Sequence, residues 1–412
     1  MFIQRWLRFC FFNLLIVAIL GILLRYKIAF SLPFVDQKYV LHSHSHFAFT
    51  GWITQTLLVL LVQYLYEHNL IKSFLKYRHL LLLNLISAYG MLVSFLLQGY
   101  GFYSISFSTL SIIVAFIFAF QYWKDLRIIP NPGITHHWFK AALVFNLMSS
   151  VGAVSLAIVM ALKLTSLKIY LSSVFYFLHF QYNGWFFFVC MGLFFYHSGL
   201  NQNKLAKIIF WLFAAACIPA YFLSALWAAI HPLLYWLVVL AALSQTAGWV
   251  IFFKLMFRYK DDLKNKFTIT GKRLLFLSGF ACSIKISLQL LSVIPYLSKL
   301  AFGYRPIVIG YLHLVLLGVI SLFLIGYILS SQYIKISKFT NWGIVIFVAG
   351  IFSNELILMT QGIAAIAGIW IPFTNEYLLI AALMLFTGML VLNLSLKQPI
   401  QIRYGRKKQV NK

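Results

Sequence analysis

Residues 41–52 of the chain read LHSHSHFAFTGW, and a mostly apolar run follows them as far as residue 66. A helix that spans a bilayer needs about 20 mostly apolar residues, so residues 46–66 are long enough to cross one. Lipid offers the backbone no hydrogen-bond partners, and a run of this length therefore predicts a helix rather than a strand. His42, His44 and His46 thus stand at the mouth of a predicted membrane helix.

The same apolar pattern recurs along the whole chain. Hydrophobic residues make up 62% of the sequence and charged residues only 10%, whereas a soluble domain carries about 25% charged residues. We predict an all-α fold in which residues 1–412 form a single polytopic transmembrane domain of about 12 helices. The predicted spans cover residues 9–29, 46–66, 79–100, 103–123, 139–162, 168–196, 205–228, 231–256, 272–297, 306–330, 341–366 and 376–396.

The charge distribution predicts how the helices are oriented. The 33 basic and 7 acidic residues give a net charge of +26, which in a soluble protein would indicate nucleic acid. Here the basic residues concentrate in alternate loops and at the termini, as the positive-inside rule describes. The basic side includes Lys72, Lys76, Arg78, Lys124, Arg127, the loop FRYKDDLKNK at 257–266 and the tail RYGRKKQVNK at 403–412. We predict cytoplasmic N- and C-termini in a bacterial inner membrane, with the lipid bilayer as partner and no nucleic acid.

Three predicted spans begin at the outer face and bring a histidine into the outer half of the bundle. His44 lies at the outer lip of span two, and His179 and His313 lie inside spans six and ten. An imidazole in the hydrocarbon region is costly and is therefore a candidate functional group, although an interhelical hydrogen bond is the simpler alternative. Two imidazoles on separate helices can ligate a low-spin haem. Gly51 and Gly318 follow two of these histidines and would leave room for a flat ring.

His42 and His46 allow a second chemistry. If the helix begins near residue 41, the two imidazoles lie one turn apart on one face, a spacing that suits zinc or copper. If the segment is extended, His44 points the same way as its two neighbours. The sequence leaves both geometries open.

Twelve spans, internal termini and histidines on spans two, six and ten resemble subunit I of the haem-copper oxidase superfamily. That superfamily contains cytochrome c oxidases, quinol oxidases and nitric oxide reductases. His46 and Gly51 stand two and seven positions after His44, as a polar residue and a glycine do in the family. The resemblance implies that His44 and His313 ligate a low-spin haem b.

The second metal centre of the family is only partly matched. The resemblance implies that His179 binds a second metal (copper, iron or zinc), with Asn183 where nitric oxide reductases have glutamate. Tyr311 stands at the position of the high-spin haem ligand, span seven lacks a histidine pair, and the loop before span twelve lacks paired arginines. The resemblance therefore implies respiratory-type electron transfer with an incomplete or altered second centre. An enzyme of this kind would be an oxidoreductase related to terminal oxidases or nitric oxide reductases, with additional membrane or cytochrome subunits as partners.

Lys285 and Glu355 lie inside predicted spans nine and eleven at the same estimated depth. A charge at mid-bilayer costs a few kcal/mol unless it is paired, so the two predict a buried ion pair or a proton relay. The pair also keeps open a polytopic transporter as an alternative function. The cluster of His42, His44 and His46 keeps open a membrane metal-binding or sensor protein without redox turnover.

Overall fold

The computed structural model describes residues 2–68, 74–130, 132–226, 230–334 and 336–396. Every regular element in these residues is helical, which confirms the all-α prediction for this part of the chain. The twelve long elements are α1 (Phe2–Ala29), α2 (Gln37–Glu67), α3 (Leu75–Gln98), α4 (Phe102–Leu126), α5 (Ile134–Ala161), α6 (167–198), α7 (Lys204–Cys217), α8 (Pro232–Arg258), α9 (Ile269–Leu291), α10 (Arg305–Ser330), α11 (Lys338–Ile366) and α12 (Thr374–Ser395). Short helices connect some of them, at Pro219–Ala225, Lys260–Lys264 and Pro295–Gly303.

Ten of the described helices, all except α6 and α7, are long and apolar enough to cross a membrane. The helix α7 and the short helix after it are bent by 46° at their junction and would form an eleventh span if the pair crosses together. The helix α6 has the length of a span, but His179, Gln181 and Asn183 lower the hydropathy of its centre. The chain is therefore an integral multi-pass membrane protein in which ten of the twelve predicted spans meet the criterion of length and composition.

The helix α2 begins nine residues before the predicted span, at Gln37. The Asp36 carboxylate accepts hydrogen bonds from the backbone N–H groups of Lys38 (2.7 Å) and Tyr39 (3.1 Å), and such an N-cap pairs donors that the first helical turn leaves free. The histidine cluster is consequently helical rather than extended. His42 and His46 lie one turn apart on the same face of α2, so the first of the two geometries left open by the sequence is the one observed.

Three of the described helices contain a π-helical segment. These segments are Ala48–Thr54 in α2, Phe180–Phe186 in α6 and Leu314–Ser321 in α10. Each begins one or two residues after a predicted site histidine, namely His46, His179 and His313. Short π-helical segments are rare and frequently occur at functional sites. The three helices that carry the predicted haem and metal ligands thus each contain such a segment.

Buried polar side chains fix the register of the central helices. On α1, the Asn13 Nδ2 donates to the carbonyl of Gly51 in α2 at 2.6 Å, and its Oδ1 accepts from the Tyr89 hydroxyl of α3 at 2.7 Å. The indole N–H of Trp52 donates to the Ser321 Oγ of α10 at 2.9 Å. Polar groups in the hydrocarbon region need partners, so these bonds hold α1, α2, α3 and α10 in one arrangement.

The two ends of α2 mark the two faces of the bundle, which we call the Gln37 face and the Glu67 face. Near the Glu67 face, Lys76 and the buried Asp125 form an ion pair with an N–O distance of 2.5 Å. This pair ties the beginning of α3 to the end of α4. Lys72 and the basic tail at 403–412 lie outside the described residues, and the orientation of the bundle in the membrane stays a prediction.

Candidate functional site

A cavity of about 1090 Å³ lies among the helices toward the Gln37 face. Its lining is mostly apolar, with a few polar side chains, as is typical of sites that hold a large apolar ligand. His42, His44, His46 and His313 all line it. Four of the five histidines predicted as site residues therefore meet at one cavity, and His179 does not line it.

The ring of His44 is oriented by the neighbouring helix α1. Its Nδ1 lies 3.1 Å from the carbonyl oxygen of Val17, and since a carbonyl only accepts, Nδ1 carries the proton and Nε2 keeps its lone pair. This Nε2 has no hydrogen-bond partner among the described residues. Gly21 lies beside the ring, because a Cβ added there would be 3.6 Å from Cε1 of His44.

The ring of His313 has the same arrangement on α10. Its Nδ1 lies 2.8 Å from the carbonyl oxygen of Ile309, one turn earlier, and its Nε2 is likewise without a partner in the described part of the chain. His44 and His313 lie within electrostatic range of each other. Metal-ligating histidines almost always donate their second ring N–H to a carbonyl, a carboxylate or water, and both residues do so. The free Nε2 atoms of the two imidazoles therefore match the ligand type of a haem iron.

Two arginines that were not predicted as site residues also line the cavity. Arg25 lies in the last turns of α1, and Arg305 is the first residue of α10. No carboxylate in the described residues forms an ion pair with either of them, although Glu355 is within electrostatic range of Arg25. Two guanidinium groups at an apolar cavity are suited to bind the anionic groups of a ligand.

His42 and His46 pack against two aromatic side chains. The His46 ring stacks on Phe95 with centroids 4.4 Å apart, and its Nε2 lies 3.3 Å from the hydroxyl oxygen of Tyr100. The His42 ring meets Tyr100 edge-on at 4.6 Å. In the described ranges, no group of three or more His, Cys, Asp or Glu residues could hold a metal ion. The predicted site at His42 and His46 thus offers two imidazoles without a third ligand of these types.

Both ring nitrogens of His179 are already engaged. Its Nε2–H donates to the carbonyl of Cys217 at 2.8 Å, and its Nδ1 accepts a hydrogen bond from the Asn183 amide at 3.1 Å. Tyr311, at the expected position of a high-spin haem ligand, faces Tyr182 with ring centroids 6.3 Å apart. These residues leave no free ring nitrogen for a metal, so they do not fit the second centre that the resemblance implies.

Lys285 and Glu355 are not brought together by the fold. Among the described residues no ion pair joins them. The Lys285 side chain is buried, its Nζ lies 5.6 Å from the ring centroid of Phe187, and Cys282 is within electrostatic range. Glu355 instead accepts a hydrogen bond from its neighbour Asn354 at 3.1 Å. The predicted buried pair is replaced by two separate polar sites.

The glycines predicted to make room for a flat ring have other neighbours. A Cβ on Gly51 would collide with the Phe47 ring at 2.7 Å, and one on Gly318 would meet the Ala281 Cβ of α9 at 3.2 Å. Both glycines therefore serve close packing. Gly21, which was not among the predicted glycines, lines the cavity beside His44.

No family model matches the chain, and a search of the curated proteins finds no significant relative. The resemblance to haem-copper oxidases accordingly depends on the pattern of spans and histidines. Any inference about function for this chain depends on three features: the cavity, the free Nε2 atoms of His44 and His313, and the guanidinium groups of Arg25 and Arg305.

Proposed function

We propose that this chain is a haem-binding membrane protein of the respiratory electron-transfer type, in which His44 and His313 ligate one low-spin haem b. One observation carries the proposal. The two imidazoles line the same cavity, each with its Nδ1–H bonded to a carbonyl and its Nε2 free. A haem with two imidazole ligands is six-coordinate and suited to electron transfer.

The residues around the two histidines would prepare the site for this ligand. The carbonyls of Val17 and Ile309 fix the tautomer and orientation of the His44 and His313 rings. The same hydrogen bonds make each Nε2 more basic and so a stronger metal ligand. The apolar walls of the cavity would exclude water. Arg25 and Arg305 would bind the propionate groups of the haem, which otherwise would enter the bundle as uncompensated charges.

The proposal extends to the topology of the membrane domain. A bundle like subunit I of haem-copper oxidases has twelve spans and cytoplasmic termini. The ten apolar helices, together with α6 and the bent pair at α7, supply the required number of elements. In this orientation, within a bacterial inner membrane, the Gln37 face and the haem site lie toward the outside.

We do not extend the proposal to reduction of oxygen or nitric oxide by the chain alone. The nitrogens of His179 are engaged and Tyr311 packs against Tyr182, so the residues present do not fit a second metal. The role that remains is electron transfer. Additional membrane or cytochrome subunits would supply and accept the electrons.

An optical spectrum of the purified protein, produced with an adequate supply of haem, tests the proposal. We expect a Soret band with low-spin character that is lost in His44→Ala and in His313→Ala. His46→Ala is the matched control, because it changes another histidine of α2 at the same cavity and should keep the band. A wild-type spectrum without haem, or one that survives both ligand substitutions, would refute the assignment. Bound zinc or copper without haem would favour a metal-binding protein. Purified protein that holds neither haem nor metal would favour a transporter.

A further inference from the structure

One wall of the cavity lies away from α2 and α10, the helices of the two haem-ligand candidates. We call this side of the cavity the lateral lobe, and its walls come from α4, α5 and α6. Its main lining residues are Ser108, Ile112, Asn146, Ser149, Ala153 and Gln181.

The lateral lobe opens toward lipid. Ile105 and Phe116 on α4 and Val154 and Ile158 on α5 line the cavity. Each of the four is between 43% and 51% exposed, so each also lies on the outer surface of the bundle. A molecule dissolved in the membrane could therefore enter between α4 and α5 without passing through water.

A hydrogen-bonding group stands inside this opening. The Gln181 Nε2 donates to the Asn146 Oδ1 at 3.1 Å and to the Ser149 Oγ at 2.7 Å, which uses both of its N–H bonds. The Gln181 Oε1 and the Asn146 Nδ2 have no hydrogen-bond partner among the described residues, although Asn146 is only 7% exposed. If both amides are turned over, their roles exchange, but one donor and one acceptor still remain free. Unpaired amide groups in an apolar environment are costly, and a ligand would pair them.

The lobe carries no formal charge. The cations at the cavity, Arg25 and Arg305, belong to α1 and α10, and no Asp, Glu, Lys or Arg of α4, α5 or α6 lines it. A charged head group would lose its hydration there without gaining a partner. An uncharged head group that both donates and accepts hydrogen bonds matches the free amide atoms.

We propose that the lateral lobe binds an uncharged, membrane-soluble amphiphile whose head group is held by Gln181 and Asn146 and whose apolar tail extends between α4 and α5. A monoacylglycerol has this chemistry. The site is independent of the haem proposal, because none of its residues takes part in haem ligation.

Photo-cross-linking tests the proposal on the full chain in phosphatidylcholine nanodiscs. The probe is a long-chain alcohol with a diazirine in its tail, and we expect labelled peptides within residues 105–116 and 150–158. Gln181→Leu or Asn146→Leu should lower the apparent affinity about tenfold, as expected for loss of a hydrogen-bonded amide in an apolar site. Thr360→Val, which removes an exposed hydroxyl on α11 away from the cavity, is the matched control and should change nothing.

Two further measurements keep the test decisive. Ala153→Phe fills the lobe without altering the amides, so it should block labelling even if the amide variants fold poorly. Competition with unlabelled monoacylglycerol should displace the probe. Labelling spread evenly over the lipid-facing surface, or labelling that this competitor does not displace, would overturn the proposal. Repeating the labelling with His44→Ala, which removes a proposed haem ligand, shows whether the lateral lobe binds the amphiphile independently of haem.

Discussion

The phenol of Tyr333 donates a hydrogen bond of 2.6 Å to the carboxylate of Glu67, which lies 266 residues earlier in the chain. Tyr196 donates to the other carboxylate oxygen at 3.0 Å, and Gln63 also donates to Glu67 at 2.8 Å. In the described residues no ion pair involves this carboxylate. One acceptor thus ties the end of α2 to α6 and to the segment that joins α10 and α11.

We expect Tyr333→Phe to change both the stability and its dependence on pH. Burial raises the pKa of the Tyr333 phenol, and Tyr327 and Glu67 raise it further. The phenol therefore contributes stability that is fully present below its unfolded-state pKa of about 10 and is lost as the pH rises toward the higher folded-state pKa. At neutral pH the variant should lose about 1.5–3 kcal/mol, the range for a hydrogen bond to a charged group.

Thermal unfolding in detergent, measured from about pH 7 to about pH 11, checks this expectation. Between about pH 9 and 11 the melting temperature of Tyr333→Phe should fall less steeply than that of the wild type. Tyr296→Phe is the control, because Tyr296 is 70% exposed. Equal slopes for the wild type and Tyr333→Phe would show that the buried phenol does not govern alkaline stability.

Arg25 and Arg305 should set the reduction potential of the proposed haem. A cation near the haem favours the reduced form, which carries one positive charge fewer, so Arg25→Gln or Arg305→Gln should lower the midpoint potential. A tenfold change in the ratio of the two redox forms corresponds to about 59 mV for one electron, and we expect a shift of that order. Redox titration of the haem absorbance measures it. Arg258→Gln, at the far end of α8, is the control, and an unchanged potential in both site variants would contradict the role.

The helices could be predicted from the sequence because each long apolar run must satisfy its backbone internally in lipid. Their ends could not. The Asp36 side chain caps α2 well before the apolar run begins, so this helix starts nine residues ahead of the predicted span. Arg25 lies inside the predicted span 9–29, but its place at the cavity was not predicted. One available signal was its position one turn after Gly21.

The depth of a residue along a membrane helix is easier to predict from the sequence than the side chains and carbonyls that it contacts. The histidines of α2 and α10 line one cavity, but the His179 Nε2–H donates to the carbonyl of Cys217, which lies at the bend between α7 and the helix Pro219–Ala225. Proline lacks an N–H and interrupts the helical bonding pattern, which leaves carbonyls near the bend for other donors. Sequence spacing does not show which side chain receives such a carbonyl. The partner of His179 was therefore not predictable.

The helices α11 and α12 approach closely enough that glycine is required at Gly388. A Cβ there would lie 2.5 Å from the backbone nitrogen of Phe347 and 2.8 Å from the Gly343 carbonyl oxygen. Gly388→Ala should push the helices apart and lower the free energy of unfolding by about 1–3 kcal/mol, as overpacking does. Gly279→Ala on α9 is the matched control, because a Cβ there meets nothing within 4 Å. Thermal unfolding should show a loss only for Gly388→Ala, and similar effects of the two substitutions would argue against close contact at this crossing.

Lys285 and Glu355 should affect stability independently of each other. Their equal estimated depth suggested an ion pair, but the fold does not form one. Lys285 lies beside Phe187 and Cys282, while Glu355 lies within electrostatic range of Arg25. Substitutions at distant sites without shared partners usually add within about 0.3–0.5 kcal/mol. The losses or gains of stability in Lys285→Met and Glu355→Gln should therefore sum in the double variant.

A double-variant cycle of thermal stability in detergent measures the coupling directly. In a buried ion pair, removal of one partner costs about 3–5 kcal/mol and removal of both recovers much of that loss. Separate sites predict no such recovery, because neither charge is the partner of the other. Arg25→Gln is the positive control, since opposite charges within electrostatic range of each other should couple it to Glu355→Gln. A large recovery in the double variant of Lys285 and Glu355 would place the two side chains together and contradict the arrangement described for α9 and α11.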